Sequence, residues 1–367
     1  MNRDISRRAV LGAGVLTLVA SVVGCAPPQT AYNPSGEGIV DVVIPYSTGG
    51  GTDTWGRFIT PYFAEKQPDV NRYQIENIPG GESITGTNAF VHTGVTDGQQ
   101  LLVSSATTYF QGMLGQSTVD FDFSEMEPLV LNGTGAVLWT STDSGIDSVE
   151  DLIGADEPFR YGGMSASGLD LVPLLALEAL GADVRGVFGM EGRGPTRLAV
   201  QRGESDLDFQ TTATYLSQVE PLVENGEALP LFAIGTLEDG EVVRDPNLPE
   251  DIPTFEELYE QYGGKTEHER LAYEAYQAFV VPGFFYQKGL WANTGTDEEV
   301  VQAYTEMVHE LNADDEFLAE SDSALGGYEL IAGGDARDSF REALEMDEEV
   351  LEFTKQLLTD KYDAVLD

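Results

Sequence analysis

Ile39-Val40-Asp41-Val42-Val43-Ile44-Pro45-Tyr46-Ser47-Thr48-Gly49-Gly50-Gly51-Thr52-Asp53 is the stretch on which the fold turns. Its first half is a β-branched apolar run closed by proline, which reads as a buried strand. A glycine-rich loop follows, and then Trp55, Phe58, Ile59, Tyr62 and Phe63 recur at the spacing of one helix face. Strand, glycine-rich loop and helix in that order open an α/β sheet. The same alternation continues outward, with strands over 73–78 and 100–104 and a helix over 84–91 between them. Farther on, strands are expected over 136–140, 159–162, 184–188 and 207–209, with helices over 149–153 and 169–180 and another from Pro195 to near Gly203. The apolar run 279–285 reads as a segment crossing back, before helices built on Val300, Tyr304, Met307 and Val308 and on Phe340, Leu344 and Leu351. The expected architecture is α/β in two lobes, 39–137 plus 280–367 and 138–279. Segment 236–270, rich in Glu, Asp and Pro, reads as surface elaboration. Beyond their shared alternation, the two lobes show no repeat.

The 367 residues carry 63 Asp plus Glu against 19 Lys plus Arg, a formal charge of −44. Binding nucleic acid through phosphates needs a basic footprint, so that class is excluded. With 41% hydrophobic residues the chain can build sizeable cores, so its acidity does not mean disorder. Only five of the basic residues are lysines. Acid excess with lysine scarcity reads as the surface of a halophile's protein; an acidic mesophilic protein is the alternative.

Residues 1–24 read as a targeting segment: Arg7 and Arg8, then an uncharged run from Ala9 to Gly24, short for a membrane span. Ser6-Arg7-Arg8-Ala9-Val10-Leu11 is similar to a twin-arginine signal, and Val22-Val23-Gly24-Cys25 to a lipobox whose cysteine receives lipid. An uncleaved anchor helix with Cys25 as a small buried hydrophobe is the alternative. Residues 25–38, with three prolines and no apolar periodicity, read as a tether. Removing 1–24 takes three arginines and one aspartate, leaving a mature charge of −46. Cys25 is the single cysteine, which excludes an intramolecular disulfide, a cysteine zinc site and, once lipidated, thiol chemistry.

Ligands of α/β sheets sit where loops leave the carboxyl ends of strands. Three segments qualify. The first, Ser47 to Asp53 with Tyr46 before it, puts Gly50, Gly51 and Thr52 at a helix start, where N–H groups suit an anion. The second, Ser104 to Thr108, offers Ser105 and Thr107 after a strand, and the third is Met164 to Gly168. None contains Arg or Lys. Tight turns with helix caps are the alternative reading of each.

Taken in order, these stretches resemble a known family. Val42 to Asp53, Glu76-Asn77-Ile78-Pro79-Gly80-Gly81, Asp97 to Leu102, Tyr161 to Gly168, Gly194 to Ala199 and Gly203 to Phe209 are similar to motifs of the tripartite tricarboxylate transporter receptors, the Bug or TctC-like proteins. The resemblance implies a two-lobed, periplasmic-binding-protein-like flytrap that closes on a small carboxylate. It implies that Ser47, Thr48, Gly50 and Thr52 of one lobe and Ser165, Ala166, Ser167 and Gly168 of the other hold the ligand. Asp53 then either caps its helix or accepts a bond from a ligand amine or water. Where the family often has His after the serine loop, this chain has Asp170. The implied partners are a carboxylate, integral membrane transporter subunits and, through lipid on Cys25, the outer face of the cytoplasmic membrane; no cofactor or metal is implied. A lipid-anchored sensor shares these features and stays open as an alternative. A secreted α/β enzyme is disfavoured, since neither a nucleotide fingerprint nor a Gly-x-Ser-x-Gly elbow is present. His92, His268 and His309 read as surface residues.

Overall fold

The computed structural model describes residues 36–238 and 241–366. The twin-arginine segment, Cys25 and nearly all of the tether lie outside the described residues. β1 (Ile39–Ile44), α1 (Gly51–Lys66), β2 (Arg72–Asn77), α2 (Ile84–Val91), β3 (Gln100–Ser105), α3 (Ala106–Met113) and β4 (Glu127–Asn132) come first. A short crossing leads to β5 (Ala136–Ser141), β6 (Phe159–Gly162), α4 (Leu171–Ala179), β7 (Val184–Val187), α5 (Arg193–Gln201) and β8 (Leu207–Thr211). Helical turns α6 (Thr212–Thr214) and α7 (Glu220–Glu224) precede β9 (Ala228–Ile234), the hairpin β10 (Thr236–Glu238) and β11 (Glu241–Val243), α8 (Phe255–Tyr262) and α9 (Glu267–Val280). The chain returns through β12 (Lys288–Ala292) and finishes with α10 (Glu298–Asn312), α11 (Asp315–Leu325), β13 (Leu330–Ala332), α12 (Gly333–Ala343) and α13 (Glu348–Tyr362).

Two sheets result, ordered β13-β4-β12-β3-β1-β2 and β7-β6-β8-β5-β9. In each, three parallel strands joined through helices are followed by one antiparallel strand, β12 beside β3 and β5 beside β8. The two halves therefore share a topology, where the sequence shows only a shared alternation. The mixed α/β, two-lobed architecture is as expected.

Burial explains why the elements hold. Trp55, Ile59 and Phe63 of α1 are almost fully buried against Val42, Ile44 and Val103. Pro61, an exposed residue, is carried inside α1 although an interior proline costs a helix about 3 kcal/mol; three buried aromatic or branched side chains, at about 1.5–3 kcal/mol each, outweigh it. On the opposite face of the first sheet, Tyr109, Phe123, Trp291 and Phe340 pack edge-on or, for Trp291 with Phe340, tilted, with ring centroids 4.7–5.7 Å apart. Phe279 near the end of α9 and Phe284 of the crossing segment join that core to Phe110 and Phe209, so one apolar cluster runs through both halves.

Segment 236–270 is not surface elaboration. Leu248 and Ile252 pack under the second sheet, and Phe255 is fully buried in the main core. A capping box starts α8: the Thr254 hydroxyl accepts from the Glu257 N–H at 3.2 Å, and the Glu257 carboxylate accepts from the Thr254 N–H at 2.9 Å. At the C-terminus, α13 lies on α9, and Tyr362 and Lys361 both reach Glu178 of α4 at 2.6 Å. The three histidines lie at the surface, each beside a carboxylate: His92 with Asp120, His268 with Glu178 and His309 with Asp335.

Candidate functional site

The glycine-rich loop is braced from within. Gly49 takes φ +83°, a left-handed conformation that glycine adopts without steric penalty, and its N–H donates to Asp53 at 2.8 Å. Asp53 also accepts from Arg57 Nε at 3.0 Å and from Asn77 Nδ2 at 2.9 Å. Burial alone would push the Asp53 carboxyl up; the Arg57 guanidinium, the Gly49 N–H and the Asn77 amide outweigh it and hold the group below its ordinary range. Asp53 thus shapes the loop, and all its partners are internal. Thr48 donates to Asn77 Oδ1 at 3.1 Å, and the Gly50 N–H donates to the Ser47 carbonyl at 3.3 Å. None of these contacts uses the Ser47 hydroxyl or the N–H groups of Gly51 and Thr52, the first-turn donors that every helix leaves unpaired.

Beside the loop runs a chain of hydroxyls. Ser105 Oγ donates to the Tyr46 phenol at 2.8 Å, the phenol meets Thr108 Oγ1 at 2.7 Å, and Thr108 meets Ser83 Oγ at 2.8 Å. Burial pushes the Tyr46 phenol up against the opposing effect of these hydroxyls. Segment 104–108, expected as a loop, has no loop in it: Ser105 ends β3 and Ala106 begins α3. Two consecutive serines and two threonines resemble loop composition, but Ser104, Ser105 and Thr108 are buried here.

In the second half, Asp170 braces the serine loop. Its carboxylate accepts from the Met164 N–H at 2.8 Å, the Ser165 N–H at 3.2 Å, the Tyr161 phenol at 2.7 Å and Arg193 Nη2 at 2.6 Å. Arg193 lies 4.1 Å over the Phe209 ring and 3.5 Å from Asp208. Burial pushes Asp208 up to about 6 although Arg193 draws it down. The Met164 and Ser165 N–H groups are therefore taken by the protein itself.

The two halves meet at Glu82, on the turn after β2. Ser165 Oγ donates to Glu82 Oε1 at 2.6 Å and Ser167 Oγ to Glu82 Oε2 at 2.7 Å. Gln111 Nε2 of α3 reaches the same Oε2 at 3.0 Å, and also the Ser167 carbonyl at 3.1 Å. Gly168 lies against Thr107, whose Oγ1 would be 3.3 Å from a Cβ placed there. A carboxylate thus sits in a cradle of two hydroxyls and an amide contributed by both halves.

No family model matches the chain, and no curated relative is detectable by sequence. Solved structures do match. A TctC solute binding protein from Polaromonas superposes with TM-score 0.60 at 16% identity, over 87% of this chain and 98% of that one. The chain has the TctC fold. MatC from Rhodopseudomonas palustris with bound malate matches that fold with TM-score 0.60 at 18% identity, over 86% and 98% of the two chains. Rpa4515 from the same organism, with adipate, gives 0.61 at 21% over 86% and 97%.

Within this TctC-type fold the expected residues fall into two groups. Tyr46 and Ser105 are bonded to each other beside the Ser47–Asp53 loop; from the second half Ser165 and Ser167 reach Glu82 and Gly168 lies against Thr107, while Ala166 is buried in the apolar cluster. Sequence reasoning missed Glu82 and Gln111. Glu82 and Ser83 adopt φ 50° and 79°, and no residue-type signal marks a glutamate for such a turn. A separate depression of about 760 Å³ lies beside α13, lined by Glu349, Glu352 and Asp360 together with Lys355, Gln356 and Thr359; none of the expected ligand residues lines it. Among the described residues no helix is long and apolar enough to cross a membrane, and no group of three or more His, Cys, Asp or Glu is placed to hold a metal.

Proposed function

We propose that this protein is an extracytoplasmic receptor, lipid-anchored through Cys25 after twin-arginine export, that captures a small carboxylate and delivers it to a tripartite tricarboxylate-type membrane transporter. The observation carrying this reading is the grip of Ser165, Ser167 and Gln111 on the Glu82 carboxylate: the donor set already has carboxylate geometry. The malate and adipate held by two proteins of the same fold support the ligand class. Lobe 1 is assigned to 39–137 plus 280–367 and lobe 2 to 138–279; the crossings run through 133–135 and 281–287, so that Ala136 and Val137 of β5 go with the second sheet, and α13 packs on α9 and α4 of lobe 2. Glu82 fills the cradle; a ligand carboxylate takes its place and is met from the other lobe by the Ser47 hydroxyl and the Gly51 and Thr52 N–H groups. Glu82 is exposed, so solvent and ligand both reach it. Closure follows from contacts that only the closed state makes.

Calorimetry of the mature domain against a panel of mono-, di- and tricarboxylates tests this. At least one carboxylate should bind, and Ser165→Ala with Ser167→Ala should weaken it tenfold or more, about 1.4 kcal/mol. Binding of a sugar or nucleotide with no carboxylate bound would overturn the reading.

A further inference from the structure

Lys288 opens β12, the antiparallel strand inserted between β3 and β4, and pairs in register with Ser105 on one side and Asn132 on the other. Side chains two apart on a strand share a face. Leu290, Val103 and Val130 all pack into the cluster of Trp55 and Ile59, so Lys288, Ser105 and Asn132 are placed on the α1 face of the sheet. Asn132 bears this out, accepting from the Trp55 indole at 3.2 Å. Ser105 in turn bonds Tyr46, which leads directly into the glycine-rich loop and the α1 N-terminus. Lys288 therefore stands at the carboxyl edge of the first sheet, where the returning chain enters it, beside the donors assigned to the ligand.

Its charge has no counterpart. The ammonium touches only the side-chain oxygen of Gln287, and no carboxylate lies within ion-pair distance among the described residues. Arg160, Arg193, Arg337 and Lys361, also partly buried, each face one, whereas Arg197 and Lys355, on helix faces away from the two ligand loops, do not. Burial, with nothing opposing it, pulls the Lys288 ammonium down to about 8. A chain with 63 acidic residues leaves this partly buried lysine unmatched at the edge of its candidate site. A buried cation without a partner is unfavourable, and a bound anion removes the penalty.

We propose that Lys288 contacts the ligand, pairing with a second anionic group and making the receptor selective for dianions over monoanions. This rests on the carboxylate-receptor reading and adds a side-chain charge to a pocket otherwise built from N–H groups and hydroxyls. The test measures, by calorimetry, a series of dicarboxylates from malonate to adipate against monocarboxylates of matched length, on the wild-type mature domain, Lys288→Met and Lys288→Arg. The expected result is a dianion preference of tenfold or more in the wild type. Lys288→Met should cut the dianion-to-monoanion ratio at least tenfold, and Lys288→Arg should restore most of it. Equal weakening of both classes in Lys288→Met, an unchanged ratio, or a wild type that prefers monoanions would overturn the assignment while leaving the receptor reading intact. A wild type that binds no carboxylate would overturn the receptor reading itself. Thermal melts keep the variants interpretable: Lys288→Met loses an unpaired buried charge and should melt no lower than wild type.

Discussion

Glu82 and Ser83 hold left-handed φ values that cost a non-glycine residue roughly 1–2 kcal/mol each. What offsets this is the set of three charge-assisted bonds to the Glu82 carboxylate. On the proposed function the residue is a carboxylate tethered in the place of the ligand's, and competes with it. Glu82→Gln keeps the shape and one acceptor but removes the charge. Affinity for a carboxylate should rise about fivefold, with a slightly lower Tm as about 1 kcal/mol of charge-assisted bonding is lost. Affinity that stays the same or falls, measured by calorimetry, would remove Glu82 from the binding cradle. Asp170 and Asp53 show the opposite arrangement: each is surrounded by internal donors and shapes a loop that carries the binding groups.

Elements matter mainly through where they begin. α1 starts at Gly51 directly after the Gly49 turn, which aims its unpaired N–H groups past the end of β1. Gly50 itself has φ −73° and ψ 167°, an extended conformation open to any residue, and a Cβ there would lie 3.4 Å from the Ser47 carbonyl, an ordinary contact. Gly50→Val should then leave the stability within about 1 kcal/mol of wild type while covering the first-turn N–H groups and weakening ligand tenfold or more. An unaltered Kd would take the α1 N-terminus out of the site. α3 was invisible as a helix start because its first residues are Ala, Thr and Thr after two serines. Their hydroxyls find partners on Tyr46 and Ser83, and those partners come from other segments. β12 carries no long apolar run, and nothing local announces that Lys288 enters a sheet between two distant strands.

Across the whole molecule, the charge of −44 opposes capture of an anion in dilute buffer. At about 1 M salt the Debye length is only about 3 Å, so distant carboxylates are screened and the local donors and Lys288 decide binding. On the reading of the acid excess as a halophile's surface, the protein works in brine. Transfer of the purified domain from molar salt to low salt should unfold it, followed by circular dichroism; full stability there would leave the acidity without this cause. The sequence by itself determined the alternation of strands and helices, the buried face of α1, the turns at Gly49 and after Gly162, and the two-lobed α/β class, because periodicity and turn chemistry are properties of neighbouring residues. Only the tertiary structure decided the common topology of the two sheets, the burial of Phe255 and the partners of the site. Glu82 meets Ser165 from 83 residues away and Lys288 pairs with Ser105 across the sheet. Such pairings arise from packing between segments distant in the chain, and a local pattern carries no record of which distant side chain will face it.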